Sequence, residues 1–105
     1  MNWDAIKHIY RNVLIDGIKI KYLGEDKYVL TQYHSNGEIY RKIKIKNGKR
    51  HGKSNAWYED GTKEWEVHYK NGIPHGKYII WWANGVEQYN GMYHNGKLTR
   101  TKDKL

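Results

Sequence analysis

Histidine is the residue type in this 105-residue chain that first suggests metal or acid–base chemistry, because the chain has six histidines and no cysteine. His51 and His75 occupy equivalent contexts one repeat apart. If successive strands pair, two strand spacings of about 9.5 Å in all separate them. Two nitrogen ligands of one zinc ion need to lie roughly 3.4 Å apart. The spacing therefore excludes a shared ion, and we predict no metal site and no cofactor.

Nucleophilic and general acid–base chemistry have equally little support in the residue pattern. The serines are Ser35 and Ser54, and neither lies in the glycine-flanked context of a nucleophile elbow. Glu64 and Glu66 lie on the polar side of a predicted strand near Lys63 and Lys70, which indicates charge pairing between strands. We therefore predict no catalytic residues and expect that the chain is not an enzyme.

Positive charge is the strongest compositional signal, with a formal net charge of +8. One strip over residues 41–53 contains no acidic residue. Such a strip fits an acidic protein, nucleic acid or an anionic membrane surface, and it also fits a solvated strand face that discourages edge aggregation. Its cationic residues are Arg41, Lys42, Lys44, Lys46, Lys49, Arg50 and Lys53.

Turn signals divide the chain into short strands that would position these side chains. Asn-Gly or Asp-Gly dipeptides favour type I′ hairpin turns, in which both central residues have positive φ. The runs between them are long enough for one strand each, and Trp65, Val67 and Tyr69 alternate with polar residues in one of them. We therefore predict an antiparallel β-meander. Its structural turn glycines are Gly37, Gly48, Gly61, Gly72, Gly85 and Gly96.

The strands and turns recur in three ungapped blocks of 24 residues, 31–54, 55–78 and 79–102. A fixed period of this length is typical of repeat proteins, in which each unit packs against its neighbours. The last block is atypical, because Gly91 interrupts its final strand. Replacing Gly91 with alanine is therefore expected to cost little stability.

The repeated motif resembles a known family. It is best developed in Trp57-Tyr58-Glu59-Asp60-Gly61, followed by Tyr69-Lys70-Asn71-Gly72 and His75-Gly76-Lys77. This pattern resembles the MORN-repeat variant, whose bacterial members are often described as antitoxin-like and which is also abundant in large DNA viruses. The resemblance covers about residues 31–98. It implies a single-layer, elongated, twisted sheet used for protein contacts, without catalytic residues.

Residues 1–30 do not follow the period and are predicted to form an N-terminal helix–strand cap. Apolar residues at helical spacing predict a short helix that ends near Gly17, and Ile18, Ile20 and Tyr22 then alternate as a strand. Residues 103–105 form a tail. No secretory signal is evident, so a cytoplasmic location is expected, or the virion or host cytoplasm for a viral protein. The helical stripe consists of Ile6, Ile9, Tyr10, Val13 and Leu14.

These observations favour a non-catalytic protein–protein interaction or scaffold module of MORN-repeat type, such as an antitoxin-like inhibitor or a component of a larger assembly. The alternative is a protein that binds nucleic acid or an anionic membrane surface through the strip at 41–53. The expected partner is another protein, of acidic character, and homo-oligomers through sheet edges are a further option. The predicted interaction surface comprises Tyr58, Trp82, Trp57, Trp81, Lys42, Lys44, Lys46 and Arg50.

Overall fold

The chain folds into one open antiparallel β-sheet, seen in a computed structural model that describes residues 12–15 and 18–102. Neighbouring strands follow one another in the chain, so the predicted meander is confirmed. The strands are β1 Asn12–Ile15, β2 Ile18–Gly24, β3 Lys27–Tyr33, β4 Ile39–Lys46, β5 Lys49–Arg50, β6 Gly52–Trp57, β7 Lys63–Lys70, β8 Ile73–Trp81, β9 Glu87–His94 and β10 Lys97–Thr101.

The strand order follows the sequence with one local irregularity. Both β5 and β6 pair with β4, at opposite ends of that strand, so together they fill one position in the sheet. The molecule extends over 50 × 34 × 17 Å, and the shortest dimension fits a single layer of backbone with side chains on both sides. Within the described residues no second sheet covers either face, and the side chains of each face pack against one another.

One face of the sheet, the aromatic face, collects most of the large apolar side chains. The register places them opposite one another on adjacent strands, as where Ala56 pairs with Trp65 and Trp65 with Ile80. Ile20, Leu30 and Ile43 also lie on this face, because Ile20 pairs with Leu30 and Leu30 pairs with Ile43. The aromatic residues of this face are Tyr22, Tyr28, Trp65, Tyr69, Tyr78, Tyr89 and Tyr93.

The opposite face, the lysine face, is polar because lysines alternate with the apolar residues along the strands. In β2, for example, Lys19 and Lys21 are exposed while Ile20 between them is half-buried. The alternation follows from the two-residue side-chain period of a strand. The lysines of this face include Lys19, Lys21, Lys42, Lys44, Lys46, Lys53 and Lys77.

The core of this thin fold lies on the aromatic face. Tyr28, Ile43, Ala56 and Val67 are its buried hydrophobic residues among those described. They lie on four different strands, β3, β4, β6 and β7, so the burial runs across the sheet. A single layer buries less apolar area than two packed layers would, and this explains why most of the aromatic rings remain half-exposed.

The Asn-Gly and Asp-Gly turns are of two kinds, which corrects the expectation of type I′ geometry throughout. Asn71 and Gly72 have φ of 52° and 88°, as type I′ requires, and the turns at 47–48 and 95–96 behave likewise. At 60–61 only the glycine has positive φ, and the Asp60 carboxylate accepts a hydrogen bond from the Thr62 amide at 2.9 Å. The turns at 36–37 and 84–85 follow that second pattern.

Contacts between neighbouring hairpins recur at the spacing of the sequence blocks. His51 Nδ1 accepts a hydrogen bond from the Asn71 amide at 3.3 Å. His75 Nδ1 accepts one from the Asn95 amide at 3.1 Å. Both histidines thus bind the type I′ turn of the next hairpin, which is a structural role. The exact boundaries of the blocks stay a prediction.

The N-terminal region differs in part from the predicted cap. Val13 and Leu14, assigned to a helical stripe, lie in β1, which pairs with β2 from Asn12 to Ile15. A strand at the sheet edge satisfies its backbone through β2, and this pairing overrides the helical spacing of the apolar residues. The strand predicted from Ile18 is confirmed as β2. The rest of the predicted helix and the tail at 103–105 lie outside the described residues.

Candidate functional site

The aromatic face contains a shallow hollow near its centre, which we call the aromatic depression. Val67 is buried in it, and the rings of Trp65, Tyr69 and Tyr78 stand around it. Its volume is about 200 Å³, room for one small ring-shaped ligand. The depression is lined by Arg50, Trp65, Val67, Tyr69, Tyr78 and Ile80.

Arg50 supplies the charged group of the depression. Its Nη1 donates a hydrogen bond to the Tyr69 hydroxyl at 3.1 Å, and its guanidinium carbon lies 5.4 Å from the centre of the Tyr69 ring. These two contacts fix the guanidinium plane, and the remaining N–H groups are available to donate. The depression therefore combines flat aromatic surfaces with oriented donors.

Three tyrosines next to the depression form a packed cluster. The Tyr78 ring meets Tyr89 edge-on at 5.7 Å between centroids and lies 5.1 Å from Tyr93. The hydroxyls of Tyr89 and Tyr93 are 2.8 Å apart and share a hydrogen bond. Burial raises the pKa of the Tyr78 hydroxyl, while the hydrogen bond with Tyr93 raises the pKa of Tyr89 to about 12. The hydroxyls of Tyr78 and Tyr89 are therefore neutral donors and acceptors at ordinary pH.

Gly91 lies beneath this cluster, so an alanine there, which is expected to cost little, would meet the ends of two side chains. A Cβ atom at Gly91 would come within 2.8 Å of the Tyr89 hydroxyl and 2.9 Å of Leu98 Cδ1. Both distances are shorter than van der Waals contact allows, so Tyr89 would have to move. The glycine that seemed to interrupt the last strand makes room for the tyrosine cluster.

A second, larger hollow of about 720 Å³ adjoins the depression on the same face. Ile45 lines this hollow and pairs directly with Arg50, which lines the depression, so the two form one continuous track. The larger hollow is mainly aliphatic and has few polar groups. Its lining residues are Ile20, Asp26, Tyr28, Leu30, Ile45, Asn47 and Gly48.

The strip predicted at 41–53 is divided between the two faces. Lys42 and Lys44 lie on the lysine face, as does Lys46, whereas Arg50 lies in the aromatic depression. The predicted interaction surface therefore does not form one patch. Charge that is contiguous in the sequence is separated because side chains alternate along β4 and because β5 is a separate short strand.

The other predicted surface residues lie near the ends of the strands. Trp57 and Trp81 end β6 and β8 on the lysine-face side, where Lys63 Nζ lies 5.8 Å from the Trp81 ring centre. The Tyr58 hydroxyl donates to the Trp81 carbonyl at 2.6 Å. Trp82 lies directly after the last residue of β8. Its side chain is 52% exposed.

Sequence reasoning missed the aromatic rings of the depression as candidate site residues. Trp65 and Tyr69 were recognised as one face of a strand, and their alternation with Val67 was the available signal. What the sequence does not show is the register that places Tyr78 beside Val67 and Arg50 beside Tyr69.

Carboxylates on the lysine face form local ion pairs. Glu66 accepts from Lys63 at 3.4 Å and lies 3.2 Å from His68 Nε2. Burial acts to raise the pKa of Glu66, but the hydrogen bonds from His68 and Lys63 outweigh it and lower the pKa below its ordinary value. Within the described residues no three His, Asp or Glu side chains come together in a group that could hold a metal ion.

Comparisons with known proteins give matches among solved structures. No protein-family model matches, nor does any curated protein, so the resemblance to the MORN-repeat variant stays a prediction. The GtfA/B complex matches at a TM-score of 0.53 and 11% identity over 90% of this chain. TarM matches at 0.49 and 18%, and an S. aureus TarM G117R mutant with fondaparinux, α-GlcNAc-glycerol and UDP at 0.48 and 17%, each over 95% of this chain.

These matches correct the predicted function. The chain spans only 20% of the matched GtfA/B chain and 24% of each TarM chain, and at these identities the likeness is one of fold. The matched GtfA/B complex is nevertheless a glycosyltransferase, which contradicts the expectation of a non-catalytic interaction or scaffold module and its nucleic-acid or membrane alternative. The same match conflicts with the expectation that the chain is not an enzyme, although it covers only a fifth of the matched chain. No helix among the described residues has the length and apolar character needed to cross a bilayer.

Proposed function

We propose that this chain binds a glycan along its aromatic face and holds it as the acceptor in a glycosyl-transfer system. The observation on which the proposal rests is the aromatic depression with its fixed arginine. Sugar rings have apolar C–H faces that stack on aromatic rings, and their hydroxyls accept hydrogen bonds from groups such as a guanidinium. Trp65 and Tyr69 supply the rings, and Arg50 supplies the donors.

The continuous track supports a ligand of several sugar units. The depression has room for a single ring, and the adjoining hollow extends the contact through Ile45. A chain of sugars could thus lie across β4, β5 and β7, with its most polar contacts at Arg50. Shallow open sites of this kind accommodate an extended polymer better than they enclose a small molecule.

We assign the formation of the glycosidic bond to another part of the glycosyl-transfer system. The depression contains no carboxylate or histidine that could act as general acid or base. Support for a link to glycosyl transfer comes from the fold, which matches about a fifth of a chain in the GtfA/B complex. The proposed role is to position the acceptor for transfer by a catalytic domain.

Titration of the whole chain with a neutral glucose hexasaccharide and a neutral N-acetylglucosamine hexasaccharide tests the proposal. Calorimetry should detect binding of at least one of them, with a change in tryptophan fluorescence from Trp65. Arg50→Ala should weaken that binding about tenfold or more, because hydrogen bonds to a charged group contribute roughly 1.5–3 kcal/mol.

The matched control is Arg41→Ala, which makes the same charge change on the same face outside the depression. Arg41 donates its Nε to Gln32 Oε1 at 2.7 Å, so it is held by a local contact of its own. Its replacement should leave the affinity within about twofold of the unaltered chain. Absence of binding to both hexasaccharides, or equal losses in the two arginine variants, would overturn the proposal.

A further inference from the structure

The lysine face contains a groove that the glycan track does not use. Along β3 this face shows Val29 and Thr31, which are shorter than the lysines on either side. Lys21 pairs with Val29 from β2, and Lys44 pairs with it from β4. The lysine groove therefore has Val29 and Thr31 as its floor and Lys19, Lys21, Lys42 and Lys44 as its walls.

The dimensions of the lysine groove follow from the sheet geometry. Its walls stand on strands two positions apart, about 9.6 Å between backbones. Lysines on one wall are two residues apart, about 6.7 Å along the strand. The groove thus offers two parallel rows of ammonium groups to anything that lies along β3.

The positive charge of the groove is not neutralised by the described part of the chain. Its four wall lysines are exposed, and the ion pairs seen within residues 18–102 involve Lys27, Lys63, His68 and Lys102 instead. Lys46 continues the row on β4, and Lys27, its pair on β3, closes that end of the groove. Like charges on neighbouring strands repel, and a bound anion with several charges would relieve this repulsion.

We propose that the lysine groove binds a linear anionic polysaccharide, which lies along β3 between the two lysine rows. An extended polymer can contact both rows at once, because its charges repeat along one direction as the lysines do. The exposed ring of Tyr33 follows Thr31 at the end of the groove and can stack on one sugar ring. This inference is independent of the neutral glycan proposed for the aromatic face.

Other anionic partners fit the groove less well. Single-stranded nucleic acid is usually held by successive aromatic platforms for its bases, and the floor of the groove is formed by Val29 and Thr31. A bilayer surface is flat, whereas strands in a sheet twist relative to one another by about 20–25°, so only part of the lysine face could touch it.

The test measures binding of the whole chain to a sulfated heparin octasaccharide and to its fully desulfated counterpart. The sulfated form should bind much more tightly than the desulfated form, which keeps only its carboxylates, and its affinity should fall as salt is raised. The double variant Lys21→Gln/Lys44→Gln should bind at least about tenfold more weakly. It should also reduce the slope of log affinity against log salt by about one to two, since each lysine releases about one counterion.

The control variant Lys77→Gln/Lys97→Gln removes the same charge from β8 and β10, away from the groove. It should retain affinity within about twofold. If both double variants lost affinity equally, the binding would reflect general attraction by net charge, and the assignment to the groove would be wrong. Tighter binding of an oligo(dT) 12-mer, or of phosphatidylserine vesicles, with the same dependence on Lys21 and Lys44 would overturn the assignment to a polysaccharide.

Discussion

At the scale of single residues, Ser54 is the clearest case of a local cost within the sheet. The residue is completely buried between the neighbouring strands of the aromatic face, and its hydroxyl has no hydrogen-bond partner within the described residues. A buried hydroxyl without a partner loses its hydration and gains nothing in return. Such a position is tolerated because serine is small enough to fit opposite Val67.

Replacing Ser54 with alanine should therefore stabilise the protein by about 1 kcal/mol, because the unpaired hydroxyl is removed. Urea denaturation monitored by tryptophan fluorescence measures the change. Ser35→Ala, in an exposed turn, is the control and should alter stability by less than about 0.5 kcal/mol. A loss of stability in Ser54→Ala would mean that its hydroxyl has a partner after all.

The tyrosine cluster leads to a prediction at high pH. The pKa of Tyr89 is raised from 10.0 to about 12 because the hydrogen bond with Tyr93 and burial favour the neutral phenol. A raised pKa in the folded state means that protonated Tyr89 stabilises the fold fully below about pH 10 and ceases to do so as the pH passes about 12. Phenolate absorbance during an alkaline titration should show one tyrosine that ionises late.

Two variants should remove that late ionisation by different routes. Tyr93→Phe deletes the hydrogen-bond partner, and Gly91→Ala displaces the Tyr89 ring through the close contact at its hydroxyl. In both, the pKa of Tyr89 should fall towards its ordinary value. Tyr33→Phe serves as the control, because Tyr33 is exposed and distant in the strand order. An unchanged titration in Gly91→Ala would show that the sheet can shift to accept the extra methyl group.

At the scale of the elements, the residue directly after an aromatic residue that ends a strand connects one hairpin to the next. His34 after Tyr33 and Tyr58 after Trp57 are the two examples. His34 Nε2 contacts the Trp57 carbonyl at 2.8 Å, and the Tyr58 hydroxyl donates to the Trp81 carbonyl at 2.6 Å. Trp82 is the third residue of this series. Its side chain is about half exposed, and Leu105, which is equivalent to Trp57 and Trp81, lies outside the described residues.

Stability should therefore respond differently at equivalent positions. Tyr58→Phe removes a hydrogen bond between hairpins and should cost about 1 kcal/mol. Trp82→Ala removes a larger side chain, yet it should cost less than about 0.5 kcal/mol, because about half of that side chain is exposed. Urea midpoints of the two variants give the comparison. A larger loss for Trp82→Ala would mean that its ring packs against the sheet in solution.

At the scale of the whole molecule, the sequence predicts those features that repeat. The glycine turns and the alternating strands are local patterns, and three copies in the same register define a meander. The helical spacing of Val13 and Leu14 predicted a helix where the chain forms β1. Side-chain periodicity does not reveal the backbone pairing that the edge of a sheet offers. The aromatic depression could not be predicted, because Arg50 and Tyr78 meet only through pairings of β5 and β8 with other strands.

The difference in polarity between the aromatic face and the lysine face also follows from a repeated local pattern. A strand period of two separates lysines from apolar residues within each strand. Because each block of 24 residues repeats the same turns, equivalent residues such as Ile43 and Val67 lie on the same face. Each block therefore adds to the aromatic face and to the lysine face without reversing either.

Inserting a second copy of residues 55–78 directly after Tyr78 should consequently extend the same sheet. The insertion adds two strand positions, about 9.6 Å, which X-ray scattering in solution would detect as a longer particle. Stability should increase, because a repeat protein gains one more interface between neighbouring units. The urea m-value should rise with it, since more surface is exposed on unfolding. The control is the same insertion without Asn55, which is one residue shorter and shifts the strand residues after the junction by one position, towards the opposite face. That 23-residue insertion should destabilise the protein, and equal losses for the two insertions would refute the additive repeat.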